Sequence, residues 1–133
     1  MNQDGKAFQS IWPLLKQHLL TQMELNEVFP SSHAEGQMNQ RYIILSDIHE
    51  IVRFWNIDEM YDKYQYPYGK ETAFTNKDPV FSITGQDARG RKLTIAFALK
   101  KNGRTLWFKI VTAFFEHELR KNRHQTNLDH NAF

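Results

Sequence analysis

The sequence predicts an α+β domain, with N-terminal helices packed on one face of a C-terminal antiparallel β-meander of three or more strands. Three observations lead to this prediction. Apolar residues recur at the spacing of an amphipathic helix in the first half of the chain. From about residue 79 to 116 they alternate with polar residues, as in half-buried strands. The chain has 133 residues, 41% of them hydrophobic, which suffices for one compact core and not for two.

We therefore expect a single domain over residues 1–124 and a disordered tail over 125–133. The helical part is expected at about 8–65 and the sheet part at about 79–116. The stretch between them, residues 66–79, contains two prolines and one glycine, and it is predicted to be a long connection.

The first predicted helix covers roughly residues 10–27. Ser10 is a candidate N-cap, and Pro13 is tolerated because it lies in the first turn. The apolar residues at helical spacing are Phe8, Ile11, Trp12, Leu15, Leu19, Leu20 and Met23. Residues 29–37 are rich in Pro, Ser and Gly and are predicted to form a loop.

Two further helices are predicted before the sheet. A short β-branched run at residues 41–45 indicates a strand, after which Ser46 or Asp47 can cap a helix. The apolar residues of that helix are Ile48, Ile51, Val52 and Trp55, and those of a second, short helix are Ile57, Met60, Tyr61 and Tyr64. A tyrosine cluster in this region either stacks on bases or packs at the rim of the core: Tyr61, Tyr64, Tyr66 and Tyr68.

The dipeptide Asn102-Gly103 predicts a β-hairpin with a type I′ turn that pairs Lys101 with Arg104. The same register predicts four apolar-face pairs, namely Leu99 with Leu106, Phe97 with Phe108, Ile95 with Ile110, and Leu93 with Thr112. Upstream, residues 87–91 fit a three-residue loop with Gly90 in the left-handed conformation. That loop predicts that Ile83 lies opposite Ile95 and Phe81 opposite Phe97.

The net charge of +2 hides a strong asymmetry along the chain. Residues 1–78 hold seven Lys/Arg and eleven Asp/Glu, whereas residues 79–133 hold ten and four. The two balances are therefore −4 and +6. Such a basic half predicts an anionic partner, most often nucleic acid, although a basic sheet face can also be a solvated surface.

The second face of the predicted meander carries two lysines and a tryptophan on its middle and last strands. Its residues are Lys92, Thr94, Ala96, Ala98, Thr105, Trp107, Lys109 and Val111. Small alanines beside Trp107 and Lys109 predict a shallow concave surface. Lys92 and Lys109 would neutralise a phosphate backbone there, with Trp107 as a stacking surface. The alternative is a solvated outer face on which Trp107 packs under a loop.

Residues 79–116 contain the two segments ITGQDARGRKLTIAF and GRTLWFKIVTAFF. The second segment includes Val111-Thr112-Ala113-Phe114, in the last predicted strand. This arrangement resembles the C-terminal core of the barnase-EndoU-colicin-RelE-like superfamily of bacterial toxin and phage ribonucleases. The resemblance implies cleavage of RNA, often tRNA, without a metal, by attack of the ribose 2′-hydroxyl on the adjacent phosphate. It also implies a cognate immunity or antitoxin protein as a partner.

That reaction requires a base, an acid and cations that stabilise the charge on the phosphate. The residues to which the resemblance assigns catalysis are His49, Lys109, Thr112 and Arg91, and those assigned to substrate binding are Lys92, Arg89 and Trp107. Glu50, Glu116 and His117 are further candidates for the acid or base. Ribonucleases of the RelE type work with clustered Lys and Arg in place of a clear acid-base pair, which suits this basic half.

A second class of function is a non-catalytic phage- or plasmid-type inhibitor or binding protein that uses the basic face for nucleic acid or an acidic protein. An immunity protein is disfavoured by the sequence pI of about 8.9. The chain has no Cys, and its six His show no zinc-binding spacing, so no metal and no cofactor are predicted. No apolar run spans a membrane and no signal peptide is recognisable. We expect a cytoplasmic protein, or one delivered into a target cell as part of a larger protein.

Overall fold

The computed structural model describes residues 10–68 and 73–118 and confirms the α+β class, with helices first and most strands in the C-terminal half. The helices are α1 (Trp12–Glu24), α2 (Ser32–Arg41) and α3 (Leu45–Phe54), followed by a 3₁₀ turn at Glu116–Glu118 after the last strand. The strands are β1 (Phe29–Pro30), β2 (Ile57–Tyr61), β3 (Val80–Gln86), β4 (Lys92–Asn102) and β5 (Thr105–Phe115). The predicted tail at 125–133 lies outside the described residues.

The five strands form one mixed sheet in the order β1-β5-β4-β3-β2. β1 runs parallel to β5, and the other neighbours are antiparallel. The helices cover one face, as predicted, and the core between the two layers is apolar. Buried members from both layers include Leu15, Leu19, Ile48, Ile51, Phe81, Phe97, Phe108 and Ile110.

The predictions of a loop at 29–37 and a strand at 41–45 are wrong, because this region contains β1 and α2. The Ser31 hydroxyl accepts a hydrogen bond from the Ala34 backbone N–H at 3.1 Å and so caps α2. The residue that precedes α3 is Ile44, not Ser46 or Asp47. Its N–H donates to the Asp47 carboxylate at 2.9 Å, so Asp47 supports the helix start from within the first turn.

The prediction of a short helix from Ile57 to Tyr64 is also wrong. Residues Ile57–Tyr61 form β2, and the register with β3 shifts between Ile57 and Glu59. This bulge interrupts the alternation of a regular strand and leaves apolar residues at spacings of three and four, which mimic a helix.

The hairpin of β4 and β5 forms, but its register differs from the prediction by two residues. Asn102 pairs with Thr105, and Leu99 therefore lies opposite Phe108. In the turn Gly103 has φ +63° and Arg104 does not have a positive φ, as in a type II′ turn with Gly first. A two-residue shift keeps every side chain on its predicted face up to Ile110.

The loop between β3 and β4 agrees with the prediction. Gly90 has φ +81°, and the Gly90 N–H donates to the Asp87 carbonyl at 3.0 Å. Ile83 lies opposite Ile95 and Phe81 opposite Phe97, as expected.

Two glycines give a matched test of packing. A methyl group at Gly85 of β3 would overlap the indole ring of Trp55, at atoms close to the base of that side chain. We expect Gly85→Ala to lower the free energy of unfolding by about 1–3 kcal/mol, as other overpacked substitutions do. Gly36 of α2 has open space around it, and Gly36→Ala should raise the stability by about 0.5–1 kcal/mol. Urea denaturation of both variants measures the two effects; equal stability of both would contradict this packing.

Candidate functional site

The outer face of the sheet, away from the helices, is partly covered. Tyr61, Tyr66 and Tyr68 pack edge to face, with ring centroids 5.2–6.4 Å apart, in one cluster with Ala96 and Ala98. The two alanines are 0% and 1% exposed. The shallow surface predicted at these alanines is therefore filled by tyrosines.

These phenols have a structural role. Tyr61 donates its hydroxyl hydrogen to Glu59 at 2.5 Å, and Tyr68 donates to the same oxygen at 3.4 Å. Burial is the main cause that raises the pKa of Tyr61, and the hydrogen bond to Glu59 raises it further. Burial is also the main cause that raises the pKa of Tyr66. Tyr64, in contrast, is 54% exposed.

The two arginines of the β3–β4 loop are engaged in ion pairs. Arg91 contacts Asp87 at 2.8 Å and Asp47 at 3.1 Å, and Arg89 contacts Asp47 at 3.1 Å. Both also donate to the backbone carbonyl of Tyr42, at 2.8 and 3.1 Å. These contacts tie the loop to the turn between α2 and α3, which gives Arg89 and Arg91 a structural role.

The carboxyl group of Asp87 stays ionised in this cluster. Burial raises its pKa, but hydrogen bonds from Arg91 and from the Arg89 backbone N–H outweigh that effect, so the pKa lies below its ordinary value. The positive charge of Arg91 is thus largely compensated within the fold.

His49 lies on α3, on the helical side of the sheet. It borders a pocket of about 260 Å³, whose other lining residues are Met23, Asn26, Val28, Phe29, Leu45 and Ser46. The His49 Nε2 atom is buried and has no hydrogen-bond partner among the described residues. Glu50 is half-buried beside His49 on α3.

A β-bulge in β5 changes the orientation of Thr112. Ile110 pairs with Phe97 and Thr112 with Ala96, so Val111 is an extra residue between two consecutive partners. The predicted pairing of Thr112 with Leu93 on the apolar face is wrong for this reason. Thr112 is instead directed away from the core.

Helix α2 runs beside the free edge of β5 and holds Thr112. The Thr112 hydroxyl donates to Gln37 Oε1 at 2.8 Å, and the Ala113 N–H donates to the same oxygen at 3.0 Å. Gln37 also keeps this edge N–H from being left unpaired. His33 lies one helical turn before Gln37 and is exposed, so α2 places an imidazole on the same side as the amide.

One turn after Gln37, an ion pair closes this edge. Arg41 donates from Nε and Nη2 to the two carboxylate oxygens of Glu118, each at 2.9 Å, and from Nη1 to the Gln37 carbonyl at 3.3 Å. The Phe115 N–H donates to Glu118 at 3.0 Å. His117 stacks on Phe115, with ring centroids 5.6 Å apart, and Glu116 is half-buried in the same 3₁₀ turn.

The Arg41 hydrogen bonds hold the pKa of Glu118 at about 2, below the ordinary value of 4.5. Because the folded-state pKa is depressed, this carboxylate stabilises the fold above about pH 4.5, and the contribution is lost as the pH falls towards 2.

We expect Glu118→Gln to lower the free energy of unfolding at pH 7 by up to about 3 kcal/mol. The loss of stability between about pH 4.5 and 2 should also be smaller in this variant than in the wild type. Thermal unfolding at several pH values measures this, with Glu116→Gln as control. The same dependence of stability on pH in Glu118→Gln as in the wild type would contradict this prediction.

The predicted cations do not form one cluster. Lys92 starts β4, whereas Lys109 pairs with Ala98, six residues further along that strand, which corresponds to about 20 Å. Trp107 is 38% exposed and lies near Lys109, two residues before it. The predicted site residues therefore fall into separate groups, and only Trp107, Lys109 and Thr112 line one side of a single strand.

The fold and this strand define a small α+β protein with a basic outer sheet face and a polar network along the β5 edge. Residues 31–115, which are 85 of the 133, match the profile of the family described as Domain of unknown function (DUF4258), and the chain belongs to that family. The matched residues include helix α2 and the bulge at Val111 of β5. No curated protein and no solved structure matches the chain.

Two further findings concern the described residues alone. No three His, Asp or Glu side chains of residues 10–68 and 73–118 are grouped so as to hold a metal ion. Within the same ranges, none of the helices has the length and apolar character that crossing a membrane requires.

Proposed function

We propose that the protein cleaves RNA by attack of a ribose 2′-hydroxyl on the adjacent phosphate, at the edge of β5 beside α2. The observation that carries the proposal is the bulge at Val111. In a regular strand, Lys109 and Thr112 would point to opposite faces. With the bulge, both leave the core face, and bulges of this kind often re-aim side chains next to active sites.

The distances in this region suit one phosphate group. Lys109 pairs with Ala98 and Thr112 with Ala96, which are two residues apart on β4, so Lys109 and Thr112 lie about 7 Å apart along the strand direction and a phosphate fits between their side chains. Gln37 touches the Thr112 hydroxyl, and the Cβ atom of His33 lies about 5–6 Å from that of Gln37 on the same helix face. The imidazole therefore lies within reach of a ribose held at Thr112.

Each side chain has a defined role in this proposal. His33 takes the proton of the 2′-hydroxyl as its oxygen bonds to phosphorus, and the bond from phosphorus to the 5′-oxygen breaks. The departing 5′-oxygen takes a proton from solvent, which leaves a 2′,3′-cyclic phosphate and a 5′-hydroxyl. Lys109 stabilises the charge on the phosphate oxygens. When the phosphate binds, the Thr112 hydroxyl turns from Gln37 Oε1 and donates its hydrogen to a phosphate oxygen, while Gln37 keeps its bond to the Ala113 N–H as a positioning residue.

This proposal keeps two of the four residues to which the resemblance assigned catalysis, Lys109 and Thr112. It leaves Arg91 in its ion pairs and His49 in its pocket. The proposed setting is the cytoplasm, with tRNA among the candidate substrates. A cognate immunity or antitoxin protein would keep such an activity in check.

The test is incubation of the purified chain with total tRNA in the presence of EDTA, followed by a denaturing gel. We expect discrete fragments from the wild type and from Thr105→Val, an exposed threonine of the same strand. Thr112→Val should yield at least about tenfold less product, because the hydroxyl that orients the phosphate is removed. Circular dichroism checks that each variant is folded. Intact tRNA with the wild type, or equal cleavage by Thr112→Val, would refute the proposal.

Binding without cleavage is the second candidate function, and one observation favours it. Of the seven cations in residues 79–118, Lys92, Lys101, Arg104 and Lys109 form no ion pair with any described residue. A surface with such uncompensated charge binds an anion and needs no acid or base. Intact tRNA that still shifts on a native gel would establish this function instead.

A further inference from the structure

The tip half of the β4–β5 hairpin is a basic surface. From residue 88 to residue 115 there is no Asp or Glu. Lys101 and Arg104 are exposed at the turn and Lys109 is half-exposed on β5, and none of the three forms an ion pair with a described residue. A long polyanion would find its charge matched here.

An aromatic ring is held in the middle of these cations. Trp107 is 38% exposed, and Lys100 Nζ lies 5.7 Å from the centre of its ring. Lys100 is itself fixed by Asp78, at 2.8 Å. The indole is thus oriented by a cation–π contact while part of its surface remains accessible.

A second aromatic ring lies next to Lys109 on the neighbouring strand β1. Phe29 of β1 is the direct partner of Lys109 in the parallel ladder, so the two side chains share a face. Val28 is buried in the core at 3% exposure, whereas Phe29 is turned the other way and is 62% exposed. Neighbouring strands lie about 4.8 Å apart, and Trp107 is about 6.6 Å from Lys109 along β5.

We infer that Phe29, Trp107 and Lys109, with Lys101 and Arg104 at the turn, form a stacking patch that binds an unpaired RNA strand. Two exposed rings next to one lysine, one along β5 and one across on β1, suit two bases and a phosphate bound beside them. Bases in a duplex are already stacked and paired, so the rings select single-stranded segments. The inference rests on the proposed function, because it names the form of the RNA substrate.

The position of the patch gives it a second consequence. Trp107 pairs with Lys100 and Thr112 with Ala96, four residues apart on β4, so Trp107 and Thr112 are about 13 Å apart along β5 and Lys109 lies between them. A strand that stacks on Trp107 and Phe29 therefore extends along β5 towards the Thr112 hydroxyl. Cleavage should fall a few nucleotides from the stacked bases, within an unpaired region.

The test uses RNA that can bind and cannot be cleaved by its own 2′-hydroxyl. A fluorescein-labelled 2′-O-methyl oligouridine of about twelve nucleotides is titrated with the full chain, and anisotropy is measured for the strand and for its duplex with oligoadenine. We expect the strand to bind at least about tenfold more tightly than the duplex. Trp107→Ala and Phe29→Ala should each weaken strand binding roughly five- to hundredfold, while Trp107→Phe, which keeps a ring, should stay within about threefold.

The salt dependence of binding and competition experiments distinguish an unpaired RNA strand from other anionic partners. Lys109→Ala should lower the slope of log Kd against log salt by about 0.7, as expected for one lost phosphate contact on a single strand. Equal affinity for strand and duplex, unchanged binding by Trp107→Ala, or no binding at all would overturn the inference. Competition by polyglutamate at equal charge would indicate an acidic protein partner, and tighter binding of oligodeoxyuridine would indicate single-stranded DNA.

The binding titration does not depend on catalysis, so its result can be compared with that of the tRNA cleavage assay. Tight strand binding together with intact tRNA in the cleavage assay would remove the proposed reaction and leave the patch. Cleavage of tRNA together with no preference for the unpaired strand would remove the patch and leave the reaction.

Discussion

His33→Ala is expected to lower the rate of RNA cleavage by about 10²–10⁴-fold, the range that a positioned general base contributes. His33 is exposed on α2, one turn before the amide that holds Thr112, and no other described histidine lies on this helix. His49→Ala should cleave at close to the wild-type rate, because His49 lies on the helical side of the sheet. Initial rates on one labelled RNA measure both effects.

Two controls separate a lost base from a damaged fold. The variant should keep the thermal stability of the wild type, since His33 is exposed on the surface of α2. Added imidazole should restore part of its activity. Full activity of His33→Ala, or a larger loss in His49→Ala than in His33→Ala, would contradict the assignment of the base.

Arg91→Met is expected to have the largest effect on stability, a loss of about 3 kcal/mol or more. The Asp87 side chain is 0% exposed, and Arg91 is its charged partner at 2.8 Å. Removing the guanidinium leaves a buried carboxylate without a countercharge and breaks a bond of 2.8 Å to the Arg41 carbonyl. Guanidinium denaturation measures the loss.

Arg89→Met is the matched control. The Arg89 side chain is 53% exposed, and Arg91 also contacts both of its partners, Asp47 and the Tyr42 carbonyl, so the loss of Arg89 should cost at most about 1 kcal/mol. Equal effects of the two substitutions would show that the cluster is not organised around Asp87. Loss of RNA cleavage by folded Arg89→Met would indicate that this arginine contacts the substrate.

The parts of the fold with regular periodicity were predictable from the sequence. The apolar spacing of α1 and α3 and the alternation in β3 and β4 survive in the structure because they face one common core. The β3–β4 register was also predictable, since Gly90 permits only a narrow choice of loop. The helical layer and the sheet could therefore be placed relative to each other before the structure.

The errors have physical causes in particular residues. Helix α2 was missed because Ser, His, Gly and Gln dominate it, although the pattern Ser32-x-x-Glu35 is a helix-start signal. With α2 taken as a loop, the one-turn spacing of His33 and Gln37 carried no meaning. The sequence contains this spacing, but only the helix makes it a site.

Bulges account for the errors at Thr112 and at Ile57–Tyr61, because one extra residue reverses the face of all the residues that follow. Val111 is an ordinary strand residue with no Gly or Pro beside it, so no local signal marks the bulge that redirects Thr112. Likewise, Asn102-Gly103 predicts a hairpin correctly, but the turn uses Gly103 and Arg104 instead. Long-range pairing decided both cases.

The most direct measurement of the central claim replaces one oxygen atom in the substrate. An RNA oligonucleotide cleaved by the wild-type protein is resynthesised with 2′-deoxyribose at the nucleotide on the 5′ side of the cleaved bond, and its products are analysed by mass spectrometry. We predict that cleavage at that bond stops and that the unmodified RNA yields a 2′,3′-cyclic phosphate and a 5′-hydroxyl. Continued cleavage at the deoxy position would show that the nucleophile is not the ribose hydroxyl and would contradict the mechanism proposed for β5.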